Sequence, residues 1–205
     1  AQNALVVSAL GDTGIYLLNA TANVIQGNYI GVNAAGTAAL GNTNNGIAIF
    51  GATGNLIGGN LPGARNVIAG NAGSGINLNT AGATGNVIQG NYIGTNVTGT
   101  SPVHNAGSGL HLAGFTQSTA IGGEAPGDGN VISGNTTHGV AIVGPHATLN
   151  QIIGNHIGVD PGGTQQVRNE EAGVMLDGAP QNTVGLAGVD FSNVISGNAI
   201  GVYIK

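Results

Sequence analysis

Asn23-Val24-Ile25-Gln26-Gly27-Asn28-Tyr29-Ile30-Gly31 returns as Asn86-Val87-Ile88-Gln89-Gly90-Asn91-Tyr92-Ile93-Gly94, and again as Asn150-Gln151-Ile152-Ile153-Gly154-Asn155-His156-Ile157-Gly158. The steps are 63 and 64 residues. Asn66-Val67-Ile68-Ala69-Gly70-Asn71 recurs at 130–135 and 193–198 with the same two steps in the opposite order. A Gly-apolar-x-apolar unit recurs about every 30 residues, beginning at Gly14, Gly46, Gly75, Gly109, Gly139, Gly173 and Gly201. A fixed period of this kind is the mark of a repeat architecture, in which each unit buries its apolar face against its neighbours.

Inside each unit one apolar position keeps its type while the flanking positions vary, as expected of a strand with one side turned to a core. The first strand's inward position reads Ile25, Ile57, Ile88, Ile121, Ile152, Val184, and the second strand is anchored by Val7, Ile30, Ile68, Ile93, Ile132, Ile157, Ile195. Helices are disfavoured, because a glycine in a helix interior costs about 1 kcal/mol and the chain carries 40 of them. The reading is an all-β solenoid of about 6.5 coils, each of about 31 residues and three strands. One domain, 1–205, holds superrepeats 23–85, 86–149 and 150–205 behind a partial coil 1–22. Odd coils lengthen the connection before the third strand (32–45, 95–108, 159–172), and even coils the one before the second (59–65, 123–129, 186–192).

The Asn-Val-Ile-x-Gly-Asn and Gly-Ile-x-Ile units resemble right-handed parallel β-helix repeats of the pectate-lyase-like superfamily, over nearly the whole chain. They are most similar to the Gly- and Asn-rich arrays of large bacterial secreted and surface proteins. That resemblance implies the β-helix fold and an extracellular or cell-surface address. Strand stacking about 4.8 Å apart places Asn23, Asn55, Asn86, Asn150 and Asn182 over one another as an amide ladder, with Thr119 the one departure.

Charge narrows the function. Three basic residues (Arg65, Arg168, Lys205) face eight acids, for a net charge of −5. Nucleic-acid binding draws on many Lys and Arg contacts to phosphate, so nucleic acid is not an expected partner. No apolar run approaches the roughly 20 residues that span a bilayer, so membrane insertion is not expected. There is no cysteine to form a disulfide or thiolate site, and no cofactor or metal is expected. The chain starts with Ala, which fits removal of a leader or excision from a longer protein.

A catalytic reading has thin support. Glu124 and Asp128 share one connection, and Asp190 sits in the equivalent connection two coils on, so a carboxylate acid–base pair is conceivable there. Solubilisation of a nearly uncharged rod explains the same acids. The five histidines fall at unrelated repeat positions, and the Thr recurrences at 37, 100 and 164 are too sparse for an ice-binding array.

The outward positions say more. Tyr29, Val67, Tyr92, Val131, His156 and Val194 form the outer ladder of the second strand, read as a flat stripe for a ligand or a lateral contact, with rings every second rung. Rings about 10 Å apart suit stacking on sugars or cover by a neighbouring chain. Neither end shows an atypical capping repeat, so Val6 and Ile15 at one end and Val194, Val202 and Ile204 at the other are expected to make end-to-end contacts. The expected partners are a further copy of the chain, stacked head to tail, or the rest of a longer solenoid, with polysaccharide as an alternative ligand. Twenty strands, not a multiple of three, imply a turn of about 120° and a rise near 32 Å per stacked copy. The expected function is therefore a non-catalytic structural or adhesive solenoid, the alternative a carbohydrate-active β-helix that binds or cleaves a polysaccharide.

Overall fold

The computed structural model describes residues 5–61, 63–79, 81–187 and 192–205, and these contain strands, turns and bends but no helix. The strands stack in three parallel sheets of a β-solenoid with about six turns. Sheet I holds Val24–Ile25, Leu56–Gly58, Val87–Gln89, Ala120–Gly122, Gln151–Ile153 and Thr183–Val184. Sheet II holds Leu5–Val7, Asn28–Ile30, Val67–Ile68, Tyr92–Ile93, Val131–Ile132, His156–Ile157 and Val194–Ile195. Sheet III holds Ile15–Leu18, Ile47–Phe50, Ile76–Asn79, Leu110–Leu112, Val140–Val143, Ala172–Asp177 and Ile200–Ile204. Ala81–Thr84 and Phe115–Gln117 add a small two-stranded sheet that the repeat pattern does not announce.

Register follows the repeat. In sheet I the column Ile25, Ile57, Ile88, Ile121, Ile152, Val184 advances by 32, 31, 33, 31 and 32 residues. In sheet II the column from Ile30 through Ile68, Ile93, Ile132 and Ile157 to Ile195 advances by 38, 25, 39, 25 and 38, because only even coils lengthen the connection that enters this sheet. Both columns and the sheet III pairs Ile47/Ile49 through Val174/Leu176 form one buried core. At about 25 cal/mol per Å² of apolar surface, this filling is the main stabilising term in a chain so poor in charge.

Asparagine ladders run along all three corners. The first links Asn23 to Asn55 and Asn55 to Asn86, and resumes from Asn150 to Asn182, with Nδ2···Oδ1 distances of 2.9 to 3.0 Å. A second runs unbroken through Asn28, Asn66, Asn91, Asn130, Asn155 and Asn193. A third runs through Asn42, Asn71, Asn105, Asn135, Asn169 and Asn198. In each rung the amide of the earlier coil donates to the oxygen of the later one. The same oxygen also accepts a backbone N–H from the earlier coil, as when Asn55 N donates to Asn86 Oδ1, so each buried amide has its hydrogen bonds met. Close packing at these corners explains glycine there. Gly94 has φ of +89°, and a Cβ on it would collide with the Asn135 amide and the Ser133 carbonyl.

The outermost strands carry the residues assigned to end contacts. Val6 lies in the first strand of sheet II and Ile15 in the first of sheet III. Val194 lies in the last strand of sheet II, and Val202 and Ile204 in the last of sheet III, both exposed. In the first coil, leucines replace the corner asparagines: Leu5 pairs with Asn28, and Leu10 N donates to Asn42 Oδ1 as ladder residues do elsewhere. Both leucine side chains are exposed.

Candidate functional site: a groove over sheet II

The outer ladder of sheet II is in register as its spacing implies: Val6 pairs with Tyr29, Tyr29 with Val67, Val67 with Tyr92, Tyr92 with Val131, Val131 with His156 and His156 with Val194. Its surface is not the flat open stripe expected. Val67, Val131 and Tyr92 are only 1%, 4% and 8% exposed, while Tyr29, His156 and Val194 are partly exposed. The cover comes from the long odd-coil connections, which fold back as hairpins over the outside of the sheet.

Three hairpins share one design. Antiparallel bridges Val32↔Ala39, Thr95↔Pro102 and Val159↔Gln166 close their bases. At the tips Asn33, Asn96 and Asp160 accept backbone N–H bonds four residues on: from Thr37 at 2.9 Å, Thr100 at 3.1 Å and Thr164 at 2.7 Å. This is the side-chain-to-backbone bonding that favours Asx residues in turns. In the third hairpin the acceptor is a carboxylate, and N–H bonds from Gln165 and Thr164 hold its pKa below the usual range. Val32, Val67, Ala69 and Val103, with Tyr29 and Val97, form a second apolar cluster between hairpins and sheet. Val97 N donates to Gly36 O at 2.8 Å, so the second hairpin rests on the first.

The even-coil connections flank the other side of sheet II, which leaves a groove between the two loop families. One recess of about 320 Å³ is lined by Tyr29, Asn60, Leu61, Arg65 and Val97 among others. The adjoining one, about 600 Å³, is lined by Arg65, Tyr92, Val131, His156, Pro126, Pro161 and Ser192 with glycine backbone. Arg65 borders both. Its guanidinium carbon lies 4.0 Å from the centre of the Tyr92 ring, and its Nε donates to Gly90 O at 3.2 Å. His156 Nδ1 lies 3.2 Å from Asp160 O; a carbonyl cannot donate, so Nδ1 carries the proton and Nε2 is the free ring nitrogen.

Of the three acids assigned to a possible catalytic site, Glu124 and Asp128 lie among the described residues. Asp128 accepts from Asn60 Nδ2 with one oxygen and from Ala125 N with the other, both at 2.9 Å, so its carboxylate ties two loops together. Glu124 is exposed in the same connection. Asp190 lies outside the described residues. Two other carboxylates face cations, Glu170 3.4 Å from Arg168 and Asp177 3.1 Å from Lys205, and Glu171 lies 3.0 Å from the His138 ring.

The pKa of His111 is lowered by its burial, with His138 adding to the effect, and that of His138 is lowered too. Burial is the larger cause of the lowering at both rings. Comparison of the chain with protein-family models, curated proteins and solved structures finds no match.

Proposed function

We propose that this chain is a length of non-catalytic rod, a structural or adhesive β-helix of the pectate-lyase-like type displayed outside the cell. The observation that carries this reading is where the polar side chains go. The asparagines of three corners bond to one another, and Asp128 and Asp160 hold loops in place. These are the uses of a scaffold, in which polar groups fix register and tie loops together. The extracellular address rests on the resemblance of the repeats.

The rod extends by layers. Sheet edges at Leu5–Val7 and Ile200–Ile204 present unpaired backbone to a further solenoid layer, whether from the same polypeptide or from a second copy stacked head to tail. Negative-stain microscopy across a concentration series tests the stacking: end-to-end rods that lengthen with concentration support it, and monodisperse single rods at high concentration refute it. Incubation with a polysaccharide panel tests the non-catalytic part, which new reducing or unsaturated ends would overturn.

A further inference from the structure

We infer that His138 is a proton-operated latch on the coil that ends in Ile200–Ile204, closed while its ring is neutral and released when the ring takes a second proton. This names what regulates one of the edges proposed for rod extension. Its consequence for stacking rests on that reading; the latch itself does not.

Hydrogen bonds fix the protonation state of the ring. Ala172 N donates to His138 Nδ1 at 3.2 Å, so Nδ1 holds a lone pair and the neutral ring carries its proton on Nε2, 3.0 Å from Glu171 Oε2. A second proton can go only on Nδ1, where it faces the Ala172 N–H, and that bond is lost. Another coil makes the same bond with a group that does not titrate. Asn45 precedes Gly46 as His138 precedes Gly139, and its Oδ1 accepts from Ser74 N, one coil on, at 3.0 Å. An amide and an imidazole thus fill one place in the repeat, and only the imidazole responds to pH.

The latch lies where its release can spread. Glu171 N donates to Thr137 O, Glu171 O accepts from Ala199 N at 3.0 Å and Ile200 N at 3.3 Å, and Ala172 pairs with Ile200. Residues 171–172 are therefore the step between the His138 loop and the outermost described strand of sheet III, whose five residues are all exposed. Such an outer layer opens at the least cost. Charges around the ring set the direction. Burial disfavours the charged ring, the Glu171 carboxylate favours it, and Lys205, paired with Asp177 at 3.1 Å, disfavours it; the balance lowers the pKa. His111, which feels the His138 charge from sheet III, is lowered likewise. The folded ring binds its proton less readily than the unfolded one, so the latch holds above the ordinary value of 6.5 and weakens as pH falls below it.

Hydrogen exchange read by mass spectrometry tests the latch on the 205-residue protein at high dilution, at pH 7.5 and 5.5, with exchange times scaled for the intrinsic rate. Residues 194–205 are expected to lose protection about three- to tenfold at pH 5.5, while the outer strand at the other end, 15–18, keeps its own. His138→Asn, which retains an acceptor at the δ position, is expected to abolish the difference. Glu171→Gln, which removes the charge favouring the ring proton, is expected to move the onset to lower pH. Thermal unfolding at pH 7.5 checks that each variant folds; if His138→Asn does not, Glu171→Gln carries the comparison. Unchanged or increased protection in acid, an equal loss at 15–18, or a response that survives in folded His138→Asn overturns the inference. Negative-stain microscopy of concentrated samples at the same two pH values reads the consequence for stacking. Rods that shorten at pH 5.5 in the wild type and not in His138→Asn support it, and rods of equal length overturn it. Absence of rods at both values refutes the stacking reading, and the exchange result still decides the latch.

Discussion

Asn86 and Thr119 occupy successive rungs of one corner, and the amide ladder that climbs from Asn23 stops between them. Asn55 donates to Asn86 Oδ1, but Thr119 has no amide oxygen to receive the next bond. Its own Oγ1 is the buried side-chain polar atom without a partner among the described residues. The ladder resumes when Thr119 N donates to Asn150 Oδ1 at 3.0 Å.

Mending that gap should stabilise the protein. Thr119→Asn supplies an acceptor for Asn86 Nδ2, a donor for Asn150 Oδ1 and removes the orphan hydroxyl. A gain of about 1 kcal/mol is expected, an increase of about 2–4 °C in Tm for a chain of this length. A lower melting temperature would mean that the corner at this level has no room for an amide.

The core column is the complementary test. Ile88 is fully buried between Ile57 and Ile121 in adjacent strands. Ile88→Asp leaves a carboxylate with no cation in reach and should abolish folding, whereas Ile88→Val should cost about 0.5–1.5 kcal/mol. Circular dichroism and limited proteolysis read both, and a soluble, protease-resistant Ile88→Asp would show the faces to be wrongly assigned.

Backbone strain gives a third prediction. The residue before each rung of the first ladder is left-handed: Ala22, Gly54, Gly85, Ser118, Leu149 and Gln181 have φ between 53° and 64°. Leu149 holds φ of 60° with its side chain largely exposed. Left-handed geometry costs a side-chain-bearing residue about 1–2 kcal/mol, only partly offset by the greater freedom of glycine in the unfolded chain. Leu149→Gly should therefore raise stability by about 0.5–1 kcal/mol in denaturant unfolding, and a loss would assign the exposed leucine a packing role.

Acid should weaken the fold before its carboxylates titrate. Burial lowers the pKa of His111, with His138 adding to it, and burial lowers that of His138 against the opposing pull of Glu171. Each ring binds its proton less readily folded than unfolded, so stability is full above the ordinary value of 6.5 and declines as pH falls below it. Asp160, whose pKa is depressed, contributes only in a lower window, as pH falls through the carboxylate range. Melting temperatures measured from pH 7.5 to 5 should decline, and His111→Gln should flatten part of that slope; an unchanged slope would remove His111 from the account.

The fold was legible because the period is long, fixed and repeated in three kinds of unit. Ile25, Ile57 and Ile88 declare their column without help from any tertiary contact. The second ladder was equally visible, since each Asn-x-Ile-x-Gly-Asn unit begins and ends with asparagine, but alternate rungs of the third, Asn42, Asn105 and Asn169, lie in the long connections where no unit marks them. The covering of Tyr92 and Val131 was not legible, because the direction in which a loop folds is set by closure such as Val32↔Ala39, not by periodicity. Arg65 over Tyr92 was hidden for a related reason. Its repeat equivalents are Gly129 and Ser192, so it appears in the sequence only as an exception, with no pattern naming its partner.

Because in every rung the earlier amide donates to the later amide's oxygen, the column has a head and a tail as an arrow does. The amide oxygens of Asn182, Asn193 and Asn198 face back to the preceding coil, as those of the rungs before them do. Seventeen side chains in three files thus sum their small dipoles along one axis, interrupted only where Thr119 replaces an amide. If copies stack as proposed, a neighbour laid upside down would break this direction, so each added layer would have to keep the same polarity.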